Sequence, residues 1–359
     1  MVEVGLRKSN EEEKKNAEKI LESIVEENLM EQQGRKVYTG HCAEYTDKVL
    51  EIRKAVQQGK FKPEDLKTRK SHWHSNFNLR LVDNLEQHNY VFATLIYANL
   101  AKHTKEGRNV IWITPVGPMG HYPVIAELMN TIGDVVGERV FPFAMDEWSS
   151  REGGRVSKEE YPYVTSFQED MNTQFYSLLR GKSRIPEKNL HFAAEKGLCG
   201  YEKEIDNLLA REAAVIYTGG VGKIGHIAFW ESTFGKRLGK DLSEKVLWIR
   251  GAPLTYGTID QNETTSSGSA PVPKFANTTG MGLFVKMREY GEKNPGLVRA
   301  YFGLDNDEEP LKWQRFITQC MLAINKADAS FGASYVPTMP GAYIIVKSHV
   351  EKNFSVPSK

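Results

Sequence analysis

The pattern of apolar and polar positions changes near residue 109. Before that point, apolar residues recur every three or four positions, as in amphipathic helices, and after it short apolar runs alternate with helix-type segments. The strand candidates are residues 109–114, 138–145, 213–219, 245–251 and 342–348. Strands that alternate with helices predict a parallel sheet covered on both faces. We therefore predict a doubly wound α/β fold, with a mostly parallel sheet and helices on both faces, plus an N-terminal helical extension.

The extension is defined by its helical periodicity. Residues 9–33 place their apolar side chains on one face of a helix, and Ser9 and Glu12 stand at the spacing of a capping box. Mostly helical and polar sequence continues from there toward the first strand candidate. We therefore divide the chain into a helical extension, residues 1–85, and an α/β domain, residues 86–359.

Two later segments break the alternation. Residues 255–271 are rich in glycine, serine and threonine, and this composition predicts a long mobile loop. Residues 294–310 end in a run of acidic residues and are predicted to form a charged surface insertion.

Composition limits the class of protein. The 359 residues are 40% hydrophobic and 26% charged, with a formal net charge of +1, which is typical of a globular protein and argues against nucleic acid as a partner. No stretch approaches the roughly 18 apolar residues of a membrane helix, and the first residues lack the apolar core of a signal peptide. Cys42, Cys199 and Cys320 are odd in number and widely spaced, as expected for reduced thiols. We expect a cytoplasmic protein without a membrane or nucleic-acid partner.

A glycine-rich segment follows the strand candidate at 213–219. Gly220, Gly222 and Gly225 have the G-x-G-x-x-G spacing of a dinucleotide loop, and Asp241 lies about 20 positions further on. The alternative is a simple glycine turn, because no helix-capping residue follows the glycines. A nicotinamide-dependent dehydrogenase is therefore the least favoured of the functions considered.

Two pairs of polar residues follow predicted strands. His226 and Glu231 lie just beyond the glycines. Asp146 and Glu147 lie at the end of the strand candidate at 138–145. Open parallel sheets bind ligands at the carboxyl ends of their strands, where an imidazole and a desolvated carboxylate can move protons. The alternatives are a structural histidine and an acid in the first turn of a helix.

A third pair, His72 and His74, has no third ligand nearby in the sequence. Since a zinc site needs three or four ligands, we predict no metal there and interpret both as surface histidines.

The segments occur in an order that resembles the glucosamine-6-phosphate deaminase/isomerase family, which shares its fold with the 6-phosphogluconolactonases. The resemblance covers roughly residues 85–350 and rests on WITPVGPMGHYPVIAELM (112–129), VFPFAMDEWSS (140–150), YTGGVGKIGHIAFWE (217–231), NTTGMG (277–282) and ASYVPTMPGAYIIV (333–346). The run G-H-I-A-F-x-E favours the deaminase branch, because the lactonases usually carry G-H-x-A-S.

This resemblance implies a reaction and roles for three residues. The implied reaction converts D-glucosamine 6-phosphate and water to D-fructose 6-phosphate and ammonia, without a cofactor or a metal. Asp146 matches the enolisation base, His226 the histidine that opens the pyranose ring, and Glu231 the acid that accompanies this histidine. The implied partner is a phosphorylated sugar, and we expect a homo-oligomer.

The resemblance also implies a set of substrate-binding residues. Thr114 and the turn from Gly117 to Gly120 match the first loop of the sugar-phosphate site, and Gly220 and Gly222 belong to a second turn. Glu147 and Arg315 complete the set, with Lys312 as an equal alternative to Arg315.

Three departures keep other functions open. Ile224 occupies the position at which the family has an acid, two residues before the histidine. Pro115 and Val116 replace two glycines of the first loop. Ile259 lies near the position at which the family has an arginine. Isomerisation of a different sugar phosphate is the close alternative, and a catalytically weak sugar-phosphate sensor is another.

Overall fold

The computed structural model describes residues 2–34, 47–66, 68–117, 119–265, 270–304 and 313–347. Its strands are β1 (Glu3–Leu6), β2 (Asn78–Val82), β3 (Val110–Thr114), β4 (Val140–Ala144), β5 (Asp146–Ser149), β6 (Ala214–Gly219), β7 (Val246–Pro253), β8 (Phe275–Thr279), β9 (Val298–Leu304) and β10 (Ala342–Lys347). Its helices are α1 (Glu11–Gly34), α2 (Asp47–Gln57), α3 (Leu85–Lys105), α4 (Tyr122–Ile132), α5 (Phe167–Gln174), α6 (Tyr201–Leu209), α7 (Ser232–Ser243), α8 (Tyr256–Thr265), α9 (Met281–Lys293) and α10 (Trp313–Ala323). Within these ranges, none of the helices has both the length and the apolar character that crossing a bilayer requires.

Six strands form a parallel sheet in the order β2-β10-β9-β6-β3-β4. Alternate residues of a central strand enter two different cores, since Ile111 and Ile113 pack in one cluster and Val110 and Trp112 in the other. Helices α3 and α4 contribute to the second cluster, and α9 and α10 contribute to the first. The predicted α/β fold, with a mostly parallel sheet and helices on both faces, is confirmed.

The strand order reverses at β3. The chain runs from β3 to β4 on one side and then crosses to β6 on the other side of β3. At such a reversal, the loops after the two adjacent strands leave in opposite directions and open a crevice at the carboxyl edge of the sheet. The segments after Thr114 and after Gly219 therefore flank the expected ligand position.

Four strands form a second sheet that is antiparallel, in the order β1-β7-β8-β5. Only Met145 separates β4 of the parallel sheet from β5 of the antiparallel one. Asp146, the first residue of β5, pairs with Thr278. The chain therefore changes sheets directly before Asp146, and this change places the carboxyl group at the edge of the crevice.

The sequence predicted a helical extension over the first 85 residues, but this part of the chain also contains two strands. Strand β1 pairs with β7, and β2 pairs with β10 at the edge of the parallel sheet. The residues that cap α1 also differ from the prediction, because the backbone NH of Glu13 donates to the side chain of Asn10 and the NH of Asn10 to the carboxylate of Glu13. The capping box is thus shifted by one residue from Ser9 and Glu12. The domain division at residue 85 stays a prediction.

The predictions of a mobile loop at 255–271 and of a surface insertion at 294–310 are wrong for most of the residues that the structure describes there. Residues 256–265 form helix α8, which lies against the turn after β6, and residues 298–304 form β9, a central strand between β10 and β6. In both segments, tertiary contacts override a local composition that favours loops. Residues 266–269 and 305–310 lie outside the described ranges.

An ion pair anchors the N-terminal strand to α9. Arg7 contacts Glu289 through both terminal nitrogens, at 3.0 and 2.6 Å, and these contacts lower the pKa of Glu289 to about 2. Because the folded pKa lies below the ordinary value near 4.5, the pair stabilises the fold above pH 4.5, and this contribution is lost as the pH falls toward 2.

Replacement of Arg7 by methionine tests this pair. We expect Arg7→Met to lower the free energy of unfolding by about 1 kcal/mol at pH 7, with the difference disappearing in acid. Chemical denaturation of both proteins at several pH values measures it. The control is Lys8→Met, because Lys8 lies 3.3 Å from the same carboxylate but is 73% exposed. An effect of Lys8→Met as large as that of Arg7→Met would contradict the prediction.

Candidate active site

A cavity of about 390 Å³ lies at the carboxyl edge of the parallel sheet. The segments after β3, β4 and β6 line it together with residues of β9, α3, α5, α8 and α10. Its polar and charged lining residues are His88, Asn89, Asp146, His226, Gln261, Asn262, Thr265 and Gln314. The cavity therefore occupies the crevice that the strand order predicts.

Asp146 is a buried acid that lines this cavity. Its side chain has no hydrogen-bond partner among the described residues, and the residue is 7% exposed. Burial, followed by the neighbouring Glu147, raises the pKa of Asp146 well above its ordinary value. A carboxyl group in this state holds its proton more strongly than a solvated one and, once ionised, is a stronger base.

His226 lies in the turn after β6 and faces the same cavity. Its Nδ1 lies 3.1 Å from the hydroxyl of Thr258, and burial lowers the pKa of the ring to about 4. The ring is therefore neutral at physiological pH. Gly222 makes room for it, because a Cβ at this position would lie 1.8 Å from Nε2.

Glu231 lies behind the cavity wall. It is fully buried, does not line the cavity, and accepts hydrogen bonds of 3.0 Å from both the backbone NH and the hydroxyl of Thr255. Since Thr255 directly precedes α8, Glu231 fixes the start of the helix that carries Thr258.

Helix α8 forms one wall of the cavity, which the sequence prediction of a mobile loop missed. Gln261, Asn262 and Thr265 line the cavity. Together with Thr258 they have the spacing i, i+3, i+4, i+7 of one helix face, so a helical period was present in the polar residues. A search for apolar periodicity alone does not detect it.

The four predicted glycines line the cavity, and Thr114 does not. Gly117, Gly120, Gly220 and Gly222 all line the cavity. Thr114 does not, because it is fully buried at the end of β3, where its carbonyl accepts the NH of Met145.

Glu147 does not reach this cavity. Its carboxylate accepts hydrogen bonds of 2.9 Å from the backbone NH groups of Trp148, Phe167 and Gln168, so it caps the start of α5. Burial raises the pKa of Glu147, although the three NH donors act in the opposite direction. The acid is thus built into the support of Phe167, which lines the cavity.

Replacing Glu147 with glutamine should weaken this support. An amide offers one acceptor oxygen instead of two, so we expect Glu147→Gln to lower the free energy of unfolding by about 1–3 kcal/mol. Thermal unfolding measures the change against Glu169→Gln, an exposed acid on the same helix. Equal effects of the two substitutions would exclude a special role for Glu147 in capping.

No lysine or arginine is among the described residues that line the cavity. Arg315 lies in α10 but does not line it, although its neighbours Trp313 and Gln314 do. Lys312, the alternative, lies outside the described residues.

Sequence reasoning also missed the residues that α3 contributes. His88 and Asn89 line the cavity, and a Cβ at Gly120 would lie 2.5 Å from the amide nitrogen of Asn89. Their helix precedes β3 in the sequence, and no motif marks them. Only the packing of α3 across the sheet brings them to the site.

The glycine turn does not have the geometry of a dinucleotide loop. Helix α7 begins at Ser232, seven residues after Gly225, whereas the dinucleotide motif opens a helix directly. His72 and His74 line a different cavity, of about 560 Å³. Among the residues that the structure describes, no cluster of three or more metal-binding side chains is found.

Known proteins resemble this chain in sequence and in fold. No family model matches the chain. A glucosamine-6-phosphate deaminase of Borreliella afzelii is 28% identical over 179 residues, which are 49% of this chain and 59% of that protein. Another from Phocaeicola vulgatus is 29% identical over 209 residues, 56% of this chain and 69% of that protein. The match thus spans less than two thirds of the Borreliella protein.

Solved structures share the fold over a larger part of the chain. A monomeric glucosamine-6-phosphate deaminase superposes with a TM-score of 0.55 and 15% identity, covering 77% of this chain and 99% of its own. A 6-phosphogluconolactonase from Plasmodium vivax gives a TM-score of 0.52 and 16% identity, covering 82% and 95%.

The fold is therefore the α/β fold of these two groups of proteins. Over about half of its length, the chain is also similar in sequence to glucosamine-6-phosphate deaminases.

Proposed function

We propose that the protein isomerises and deaminates an amino-sugar phosphate, converting D-glucosamine 6-phosphate and water to D-fructose 6-phosphate and ammonia. The observation that carries the proposal is the meeting of a buried carboxyl, Asp146, and a neutral imidazole, His226, on one cavity at the reversal of strand order. Both groups are proton carriers, and aldose–ketose interconversion is a sequence of proton transfers.

His226 would open the sugar ring. A neutral imidazole can accept the proton of the O1 hydroxyl and return it to the ring oxygen O5, so that the C1–O5 bond breaks and C1 becomes an aldehyde. Thr258 holds Nδ1, which leaves Nε2 as the nitrogen available to a cavity ligand.

Asp146 would then shift a proton between neighbouring carbons. Its carboxylate takes the proton from C2 and returns it to C1, while a proton passes from the amino nitrogen to O1. The amino aldehyde thereby becomes an imine at C2 with a hydroxyl group at C1. Water adds to this imine and ammonia leaves, giving the ketone. Because a single carboxylate serves both carbons, no metal or cofactor is needed.

The glycine turns would bind the phosphate of the sugar. Gly117, Gly120, Gly220 and Gly222 lie in turns around the cavity, where backbone NH groups can bind an anion. We also propose Arg315 as a contributor from α10. Thr114 and Glu147 would support these turns and α5 from behind, without touching the sugar.

The direct test is turnover of a panel of phosphorylated sugars by the full chain. Glucosamine 6-phosphate should give stoichiometric fructose 6-phosphate and ammonia, each measured by a coupled assay. Glucose 6-phosphate and 6-phosphogluconolactone test the isomerase and lactonase alternatives. Turnover of one of these two, without ammonia from glucosamine 6-phosphate, would reject the deaminase proposal.

A sugar-phosphate sensor is the second candidate, favoured by Ile224 and by the lack of cationic side chains among the described lining residues. Such a protein would show a ligand-induced rise in melting temperature with glucosamine 6-phosphate but no product. A rise with NADH and not with sugar phosphates would instead favour the dehydrogenase. Subunit count, measured by light scattering, tests the expected homo-oligomer.

A further inference from the structure

The ring of His226 has a hydroxyl as its partner where the family resemblance leads one to expect a carboxylate. Ile224 is apolar and 2% exposed, so it offers Nδ1 no acceptor. Nδ1 lies instead 3.1 Å from the Thr258 hydroxyl, a buried contact that joins residues 32 positions apart. Among the described residues, no other hydrogen bond to this ring is found.

Four further hydrogen bonds fix the helix that carries Thr258. Glu231 accepts from the NH and hydroxyl of Thr255 at the start of α8. The backbone NH of Lys223 donates to Gln261 at 2.6 Å, and the Lys223 ammonium donates to Asp260, also at 2.6 Å. Helix α8 is therefore attached to the turn that holds His226 at several points, so the Thr258 hydroxyl has a defined position relative to the ring.

We propose that Thr258 is the positioning residue of His226 and holds the ring in one orientation, in which Nδ1 is occupied and Nε2 is left for a ligand in the cavity. The proposal rests on the proposed function for its catalytic consequence only. A hydroxyl can either donate to a neutral Nδ1 or accept from an Nδ1–H, so it can orient the imidazole without selecting a tautomer, and it adds no charge that would stabilise the imidazolium. Gly222 leaves room for this orientation, because a Cβ there would lie 1.8 Å from Nε2.

The contact is tested first without any assay of activity. Thr258→Val removes the hydroxyl at nearly constant volume, Thr258→Ser keeps it, and Thr264→Val changes an exposed threonine of the same helix. Nitrogen-15 NMR of labelled histidine reports the protonation and hydrogen bonding of each ring nitrogen, and the His226 signals are assigned by their loss in His226→Gln. We expect the Nδ1 and Nε2 shifts of Thr258→Ser and Thr264→Val to match those of the wild type, and those of Thr258→Val to differ, because Nδ1 loses its partner. Unchanged His226 signals in Thr258→Val would overturn the proposal.

Kinetics with glucosamine 6-phosphate test the consequence. We expect Thr258→Val to lower kcat about tenfold, while KM changes less than about twofold, and Thr258→Ser to recover most of the rate. Changed nitrogen shifts of His226 with unchanged kcat would reject the positioning role. If the wild type turns over no sugar phosphate, the proposed function fails, but the NMR result still decides whether Thr258 orients His226.

Discussion

Replacement of Asp146 by asparagine should abolish the release of ammonia from glucosamine 6-phosphate. An amide cannot accept the proton from C2, and in this cavity no other described acid can take its place, because Asp146 is the only carboxyl group among the described lining residues. We expect kcat to fall by about 10⁴-fold, the upper range for loss of a general base. Coupled assays of ammonia and fructose 6-phosphate measure the loss.

The same substitution should stabilise the protein at neutral pH. The folded pKa of Asp146 is raised by burial above its unfolded value, so the native state binds the proton more strongly. Its contribution to stability is therefore present below the unfolded pKa of about 3.9 and is lost as the pH rises through the folded pKa. Asparagine has no proton to lose, so the melting temperature of Asp146→Asn should exceed that of the wild type increasingly as the pH rises, by about 2–4 °C.

Asp241→Asn is the matched control, because Asp241 is an exposed acid on α7 outside the cavity. It should change neither turnover nor the pH dependence of the melting temperature. If Asp146→Asn retained ammonia release within about tenfold of the wild type, Asp146 could not be the base. An unchanged pH dependence of its melting temperature would show that burial does not raise the pKa of this carboxyl group.

The sequence revealed the site best where strong apolar strands ended in polar residues. β4 and β6 are buried along their whole central parts, and Asp146 and His226 follow them within a few residues. The carboxyl edge of a parallel sheet gathers such residues whatever their separation in the chain. Asp146 and His226 could therefore be predicted together, although they are 80 positions apart in the chain.

Other parts of the site carry no local signal. The hydrogen bond between Thr258 and His226 depends on the packing of α8 against the turn after β6. Composition predicted the α8 segment to be a loop. Strands β1 and β2 have only four and five residues, too short for periodicity to separate them from helical surroundings. Their strand geometry comes from pairing with β7 and β10, which is a tertiary effect.

Glu231 is fully buried, does not line the cavity and contacts Thr255 instead of the histidine. The resemblance implied an acid that accompanies the histidine, and the structure connects the two through Thr255, α8 and Thr258. Because the chain of contacts is indirect, Glu231 can influence His226 only through the position of the helix. We therefore propose Glu231 as a support of the site and not as a group that touches the sugar.

Replacement of His226 by glutamine should have an effect of a different kind from that of Asp146→Asn. Glutamine keeps a polar side chain but cannot carry a proton between O1 and O5, so we expect kcat to fall about 10²-fold. Asp146 is untouched, and sugar that opens spontaneously in solution still supplies an open-chain substrate. His226→Gln should therefore keep a residual activity that Asp146→Asn lacks.

This difference can be measured by varying the enzyme concentration at fixed glucosamine 6-phosphate. For the wild type, the velocity should rise in proportion to enzyme, since the enzyme itself opens the ring. For His226→Gln, the velocity should level off once the spontaneous opening of the sugar limits the supply of substrate. A residual velocity of His226→Gln that stays proportional to enzyme up to the highest concentration would show that another group opens the ring. If His226→Gln and Asp146→Asn lost the same fraction of kcat, His226 would act in the proton transfer by Asp146 itself. Open-chain sugar supplied by spontaneous opening would then restore no activity.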